Sequence, residues 1–234
     1  LPNPKVISWE TNEDFDVFIG SHDGFENIGV SYSRQVIAIK NNFWIVKDNF
    51  NSENPHTYKQ VWQGHYSLEN EPNLLRATFD DASGLDIYQL NEVDTIQNNG
   101  TRGKQWSVVT KNASNNFSFL TALLPYSGYD NRIDETAKSS KLGNWEVNNQ
   151  KWFKSDAETI VSNNNTFILF ETSIVENDKI SFQLNEKADI IISTKAEITL
   201  QNISYKPIAI KSKFWKGEKE LSPGGLIDIS IKNN

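Results

Sequence analysis

The run Val30-Ser31-Tyr32-Ser33-Arg34-Gln35-Val36-Ile37-Ala38-Ile39-Lys40, the pair Asn41-Asn42 and the run Phe43-Trp44-Ile45-Val46-Lys47-Asp48 decide the fold class. Successive side chains of a strand point to opposite faces, so Tyr32, Arg34 and Val36 share one face and Ile37 and Ile39 the other. The asparagine pair supplies a turn, and the second run is rich in aromatic and β-branched residues suited to the middle of a sheet. Together they make a hairpin.

Outward from this hairpin, apolar residues recur at period two in short bursts broken by Asn, Gly, Asp and Ser, and almost nowhere at helical spacing. Strands are expected at residues 15–19, 57–66, 73–79, 85–90, 105–110 and 117–124, with Asn99-Gly100 as a turn in the longer connection. Beyond Pro125 the texture changes, and the polar stretch over residues 126–141 reads as a long connection or seam. Short strands then resume at 167–170, 179–184, 189–193, 197–201, 207–210 and 226–231. The expected fold is all-β, an antiparallel, supersandwich-like β-sandwich with a smaller C-terminal β subdomain. The main region covers residues 1–125, and residues 142–234 pack on it or extend it.

A chain of 234 residues with 37% hydrophobic and 23% charged residues can bury a substantial core. It has no cysteine, which removes disulfides, thiolate metal sites and cysteine nucleophiles together. It also has no methionine and begins Leu1-Pro2-Asn3-Pro4, so it is expected to be an excised piece of a longer protein. Thirty acidic against 23 basic residues, a net charge of −7, argue against a sequence-independent grip on nucleic acid or on an anionic membrane. No apolar run approaches the roughly 20 residues that span a bilayer.

The three histidines are His22, His56 and His65. Two of them with Asp48 could in principle meet a zinc ion, but their spacing fits no compact ligand motif, and no metal or cofactor is expected within this chain. Asp48 reads as a strand-end carboxylate that bonds the backbone of the turn after it. Asp80-Asp81 with Asp86 lacks the ordered oxygen spacing of a calcium loop.

In the segment His56-Thr57-Tyr58-Lys59-Gln60-Val61-Trp62-Gln63-Gly64-His65-Tyr66, alternation puts His56, Tyr58, Trp62 and Tyr66 on one face and Lys59, Gln63 and His65 on the other. One reading joins that polar set to Arg34 to meet an acidic sugar, because a guanidinium holds a carboxylate or sulfate bidentately. The other is a core sheet with a solvated outer face. Trp62 is either a stacking platform for a sugar ring or a sandwich-core residue, while core packing is expected of Trp44, Trp106, Trp145, Trp152 and Trp215.

Asp23-Gly24-Phe25, Arg34-Gln35-Val36-Ile37, Phe43-Trp44-Ile45-Val46-Lys47-Asp48, His56-x-Tyr58-x-x-x-Trp62 and Phe119-Leu120-Thr121-Ala122-Leu123-Leu124-Pro125 follow one another in the order seen in heparinase II/III-like polysaccharide lyases. Over residues 15–125 the chain resembles the β-sandwich that follows the helical toroid of those enzymes, and the region from Glu186 to Ile231 is similar in texture to their C-terminal strands. The resemblance implies β-elimination on an anionic polysaccharide containing uronic acid, of the alginate or glycosaminoglycan type. A base removes the C5 proton, a neutralising group meets the carboxylate, and an acid assists the leaving oxygen at C4.

The family's catalytic Tyr and Asn or His belong to the N-terminal helical toroid, which would be this chain's partner. Its sandwich histidine, and the His and Asp ligands of a structural zinc in some members, come from His-x-His and His-Asn-Thr segments that this sequence lacks. The chain alone is therefore expected to be inactive. His65 and Tyr66 remain as catalytic candidates, and Arg34, His65, Tyr66 and Trp62 as candidates for lining the sugar cleft. The resemblance further implies a secreted or periplasmic bacterial protein. A different class, a non-catalytic carbohydrate-binding or structural sandwich module, fits the same aromatic-rich, all-β composition.

Overall fold

A computed structural model describes residues 1–68, 73–101, 103–128, 141–148, 150–195 and 197–229. The first strands are β1 (Pro4–Thr11), β2 (Phe15–His22), β3 (Val30–Ile39), β4 (Trp44–Ser52), β5 (His56–Gln63), β6 (Ser67–Leu68), β7 (Leu74–Thr78), β8 (Ser83–Gln89), β9 (Thr95–Thr101), β10 (Lys104–Ser114) and β11 (Phe117–Ser127). They are followed by β12 (Lys141–Leu142), β13 (Trp145–Val147), β14 (Lys154–Ser155), β15 (Thr159–Ser162), β16 (Thr166–Glu176), β17 (Ser181–Ser193), β18 (Ile198–Asn202), β19 (Ile208–Ser212), β20 (Glu218–Leu221) and β21 (Leu226–Ile229). The fold is all-β. Among the described residues no helix is long and apolar enough to cross a membrane. The chain forms two compact units, one of Leu1–Val6 with Thr11–Ser139 and one of Ile7–Glu10 with Ser140–Asn234.

The first unit is a sandwich. Its large sheet has eight strands in the order β1-β2-β3-β4-β11-β8-β7-β6, and its small sheet has three in the order β5-β10-β9. The decisive hairpin is β3 against β4, with Ala38 opposite Trp44 across a turn in which Asn41 adopts the left-handed conformation, φ 61°. Ile37 and Ile39 are buried on one face of β3, while Tyr32 and Val36 are half-buried and Arg34 is exposed on the other. Between the sheets, Phe50, Leu75, Ile87 and Phe119 of the large sheet meet Tyr58 and Val109 of the small one. Phe50 stacks on Tyr58 at 4.7 Å between ring centroids and meets Phe119 edge-on at 6.1 Å.

Two expectations change here. Asn99-Gly100 is strand, not turn: Asn99 pairs with Trp106 and Gly100 with Gln105, and the hairpin reverses between Thr101 and Lys104, where Gly103 has φ 85°. The register is thus set three residues later than the dipeptide suggests. β11 also continues through Pro125 to Ser127. Residues 129–140 of the expected connection lie outside the described residues, as do the last two residues of the strand expected over 226–231.

The second unit is built on a ten-stranded sheet in which β17 pairs with β16 along one edge. The strands expected at 179–184 and 189–193 are the two halves of this one strand, whose inward residues Phe182, Leu184, Ala188, Ile190 and Ile192 belong to one core cluster. On its other edge the first half pairs with β19 and the second with β18. The β16–β17 register slips between Leu169 and Ile174, where Glu171 has φ 55°. Asp156 fastens this irregularity. Its carboxylate accepts from the Ser173 and Ile174 backbone N–H groups at 2.7 and 2.9 Å and from the Ser173 and Thr172 hydroxyls at 2.6 and 2.9 Å.

Burial alone would raise the Asp156 carboxyl, but the donors from Ser173, Ile174 and Thr172 together outweigh it and hold the group well below the usual carboxylate range. The group is exposed, so solvent screens part of the effect. Asp156→Ala should cost about 1–2 kcal/mol of second-unit stability at neutral pH. A folded-state value lowered in this way adds stability that is present above about pH 4 and is lost as pH falls toward the folded value. Thermal unfolding followed from pH 7 downward should therefore show the gap between wild type and variant closing only below about pH 4.

Candidate functional site

β5, the edge strand of the small sheet, carries Tyr58, Gln60 and Trp62 inward and Lys59, Val61 and Gln63 outward. Gln60 thereby reaches a charge buried in the large sheet. Its Nε2 donates to Asp48 Oδ2 at 2.9 Å, and the same carboxylate accepts Arg34 Nε at 2.6 Å, Arg34 Nη2 at 2.8 Å and the Tyr32 hydroxyl at 2.7 Å. The Asp48 side chain is 2% exposed and that of Arg34 45%. The pair is a buried anion capped by a cation with one side in water.

The network continues inward. Gln60 Oε1 accepts the Trp62 indole N–H at 3.0 Å and Gln89 Nε2 at 3.0 Å, and the Thr121 hydroxyl lies 3.1 Å from it and 3.0 Å from Gln89 Oε1. The hydrogen bond to Asp48 is the chief reason the Arg34 guanidinium is held above its already high value. Burial first, and then the Asp48 charge, push the Tyr32 phenol up, so it is a fixed donor and not a base. His22 pairs across the strands with Tyr32, its ring 4.5 Å from the phenol ring. His22 Nδ1 accepts the Gly24 N–H at 3.0 Å, which in the neutral ring leaves the proton on Nε2. Gly20 faces Arg34 across β2 and β3, and the ring of Phe18 fills the space where a Gly20 side chain would stand.

Asp48 is accordingly not a strand-end carboxylate serving a turn: it lies inside β4 and bonds side chains from β3 and β5. Its oxygens are engaged by Arg34, Tyr32 and Gln60 and not by a metal ligand set, and among the described residues no group of three or more His, Asp or Glu could hold a metal ion. Asp86 is likewise taken, held by Arg76 Nε and Nη2 at 2.7 and 2.9 Å with both side chains almost fully buried.

The candidates from the sequence fall in two places. Arg34 belongs to the Asp48 network with its bidentate edge filled. Trp62 packs half-buried against the core with its indole N–H used. His65 and Tyr66 lie beyond the end of β5, after Gly64 with φ 148°. The Tyr66 hydroxyl donates to the Gln63 carbonyl at 3.1 Å, and burial pushes this phenol up, leaving it protonated at neutral pH. His65, with Gln63, Gly103, Lys104, Gln105 and Trp106, lines an open cleft of about 740 Å³ at that end of the small sheet. Lys59 and Gln63 face outward while Gln60 meets Asp48, so the polar set and Arg34 are not one constellation.

Sequence reasoning left out Tyr32 as a carboxylate partner, and Gln60, Gln89 and Thr121 altogether. One signal was available: with the turn centred on Asn41, Arg34 and Asp48 lie seven residues to either side and must pair. Trp106, read as core, is half-buried on the outward face.

No protein-family model matches the chain, and neither does any curated protein sequence. Solved structures do. The chain is similar to a mutant of heparan sulfate lyase HepC from Pedobacter heparinus, with TM-score 0.52 and 17% identity over 68% of this chain and 26% of that one. It is similar to a heparinase III gene product, with TM-score 0.50 and 11% identity over 82% of this chain and 28% of that one. A further heparinase III gives TM-score 0.50 and 10% identity, over 94% of this chain and 27% of that one. The chain thus spans about a quarter of the length of these enzymes, and at such identities the likeness is one of fold.

Breaking a buried ion pair costs about 3–5 kcal/mol, and less here because the Arg34 end is half in water. Arg34→Ala should therefore destabilise the chain by about 2–3 kcal/mol in urea unfolding, with Asp48 left buried without its counter-charge and held only by Tyr32 and Gln60. His65→Ala should leave the urea midpoint unchanged, because His65 is exposed and outside the network.

Proposed function

We propose that the chain is the β-sandwich portion of a secreted or periplasmic bacterial polysaccharide lyase that cleaves a uronic-acid-containing anionic polysaccharide by β-elimination. The observation that carries this reading is the fold likeness to heparan sulfate lyase HepC and to heparinase III, in each case over about a quarter of the enzyme. The rest of the machinery, a helical toroid N-terminal to the sandwich, would supply the remaining acid–base groups. A structural zinc, where the parent has one, would be held by residues of the parent other than these 234.

Within this reading the chain contributes walls and charge. Arg34 presents to water the side of its guanidinium that Asp48 does not use, where it can meet a uronate or sulfate. Tyr66 is a protonated phenol beside an exposed histidine, so the two suit proton donation to a leaving oxygen and hydrogen bonding to the sugar. Trp62 holds the inner face of β5 against the core and meets no sugar. The reading of the chain as a carbohydrate-binding module without chemistry draws support from one observation, the half-buried Trp106 in the cleft beside Lys104.

The test is the appearance of unsaturated uronate absorbance with heparan-type, chondroitin-type and alginate polysaccharides, for residues 1–234 alone and for the longer protein containing them. Product from the longer protein only is the expected result. Full activity from residues 1–234 alone would remove the need for a toroid, and no product from either on any uronate polymer would sink the lyase reading.

A further inference from the structure

The small sheet β5-β10-β9 has one face in the core and one in solvent. Its inward face, Tyr58, Gln60 and Trp62 on β5 with Val109 on β10 and Ile96 on β9, packs on the large sheet. The register fixes the outward face as three rows across the strands: Gln63, Trp106 and Asn99, then Val61, Val108 and Gln97, then Lys59, Thr110 and Thr95. None of these nine residues is acidic, in a chain of net charge −7.

The first row runs into the cleft lined by His65, Lys104 and Gln105. Among the described residues neither Lys59 nor Lys104 has a carboxylate partner. Asp94, the carboxylate beside the third row, is already paired with Lys111 at 3.0 Å. Val61 is 49% exposed.

Trp106 is seated, not stray. A Cβ on Gly100, which has φ 92°, would stand 2.9 Å from its ring and 2.0 Å from the Lys104 carbonyl oxygen, so the ring lies over a position that only glycine leaves open. Its indole N–H has no protein partner among the described residues. A flat aromatic beside amides, each able to donate and accept, answers the alternating apolar faces and hydroxyls of a sugar ring. Two unpaired ammonium groups on a carboxylate-free face answer an acidic one.

We propose that this outward face is a glycan-binding platform for an acidic polysaccharide strand, separate from the Arg34–Asp48 network, with Trp106 as the stacking floor. Gln63 and Asn99 meet the hydroxyls, and Lys59 and Lys104 meet carboxylate or sulfate. The proposal rests on the reading of the partner as an anionic polysaccharide, and it adds where a chain of that kind is held.

The experiment is calorimetric titration of the 234-residue chain with size-defined heparan sulfate and alginate oligosaccharides, and with a neutral glucan of equal length, at low and moderate salt. Trp106→Ala should weaken acidic-oligosaccharide binding about tenfold, with Trp106→Phe retaining part of it. Lys59→Gln with Lys104→Gln should lower affinity and flatten its salt dependence, whereas Lys154→Gln, an exposed lysine of the second unit, should change neither. Circular dichroism on each variant separates lost binding from lost folding.

Acidic-glycan binding that is indifferent to the Trp106 and lysine changes overturns the platform while leaving the lyase reading intact. Binding of the neutral glucan alone, or of no glycan, also overturns it. If Trp106-dependent acidic binding persists while the longer protein makes no unsaturated product, the platform stands and the lyase reading falls.

Discussion

The sandwich of the first unit depends on neutralising one charge. Asp48 sits in the middle of β4, and a carboxylate there is tolerable only because every side from which water is excluded supplies a donor. Arg34 comes from the adjacent strand, Tyr32 from the same strand two residues earlier, and Gln60 from the opposite sheet. The Gln60 bond makes the charge a fastening between layers: moving β5 by one residue would turn Gln60 to solvent and bring an outward residue against the carboxylate. The aromatic contact of Phe50 with Tyr58 holds the same layers by area, but it would tolerate sliding that the hydrogen bonds would not.

What the sequence made legible follows from which physical rules are local. Period-two alternation is local, so β3, β4, β5 and β11 are recognisable, and the turn at Asn41 even fixes Arg34 opposite Asp48. Pairing between distant strands is not local. Nothing near Gln60 announces that its amide will meet a carboxylate on another sheet, or that Gln89 and Thr121 will complete the set. The break at Glu186-Lys187 looks like a turn between two strands because the residues are polar, yet β17 continues as one strand, bulging against β16 between Gln183 and Ala188 while its partner on the other edge changes from β19 to β18. Asn99-Gly100 misleads in the same way: the glycine is required by its positive φ and by the Lys104 carbonyl, with the Trp106 ring next to it, and not by a reversal.

The tryptophans show why residue type alone assigns no role. Trp62 and Trp106 both sit on strands of the small sheet, yet Trp62 shares a face with Tyr58 and Gln60, and Trp106 one with Val61 and Gln63. Strand parity decides that one supports the core and the other meets solvent. Parity is fixed only once the register is known, and here the hairpin at Gly103 sets it.

The change of partner along β17 also shapes how the second unit faces its own kind. A sheet that forks has an extra free margin, and every such margin offers unpaired backbone groups to a neighbouring molecule. One arm of the fork ends at β20, where Glu218, Lys219 and Glu220 are all exposed, so another strand would have to approach through a dense row of charges. The other ends at β21, only four residues long, with Asp228 exposed at its middle and Leu226 48% exposed. Brevity and charge both disfavour the addition of a further strand at these margins, and at Leu226 that guard is thinnest.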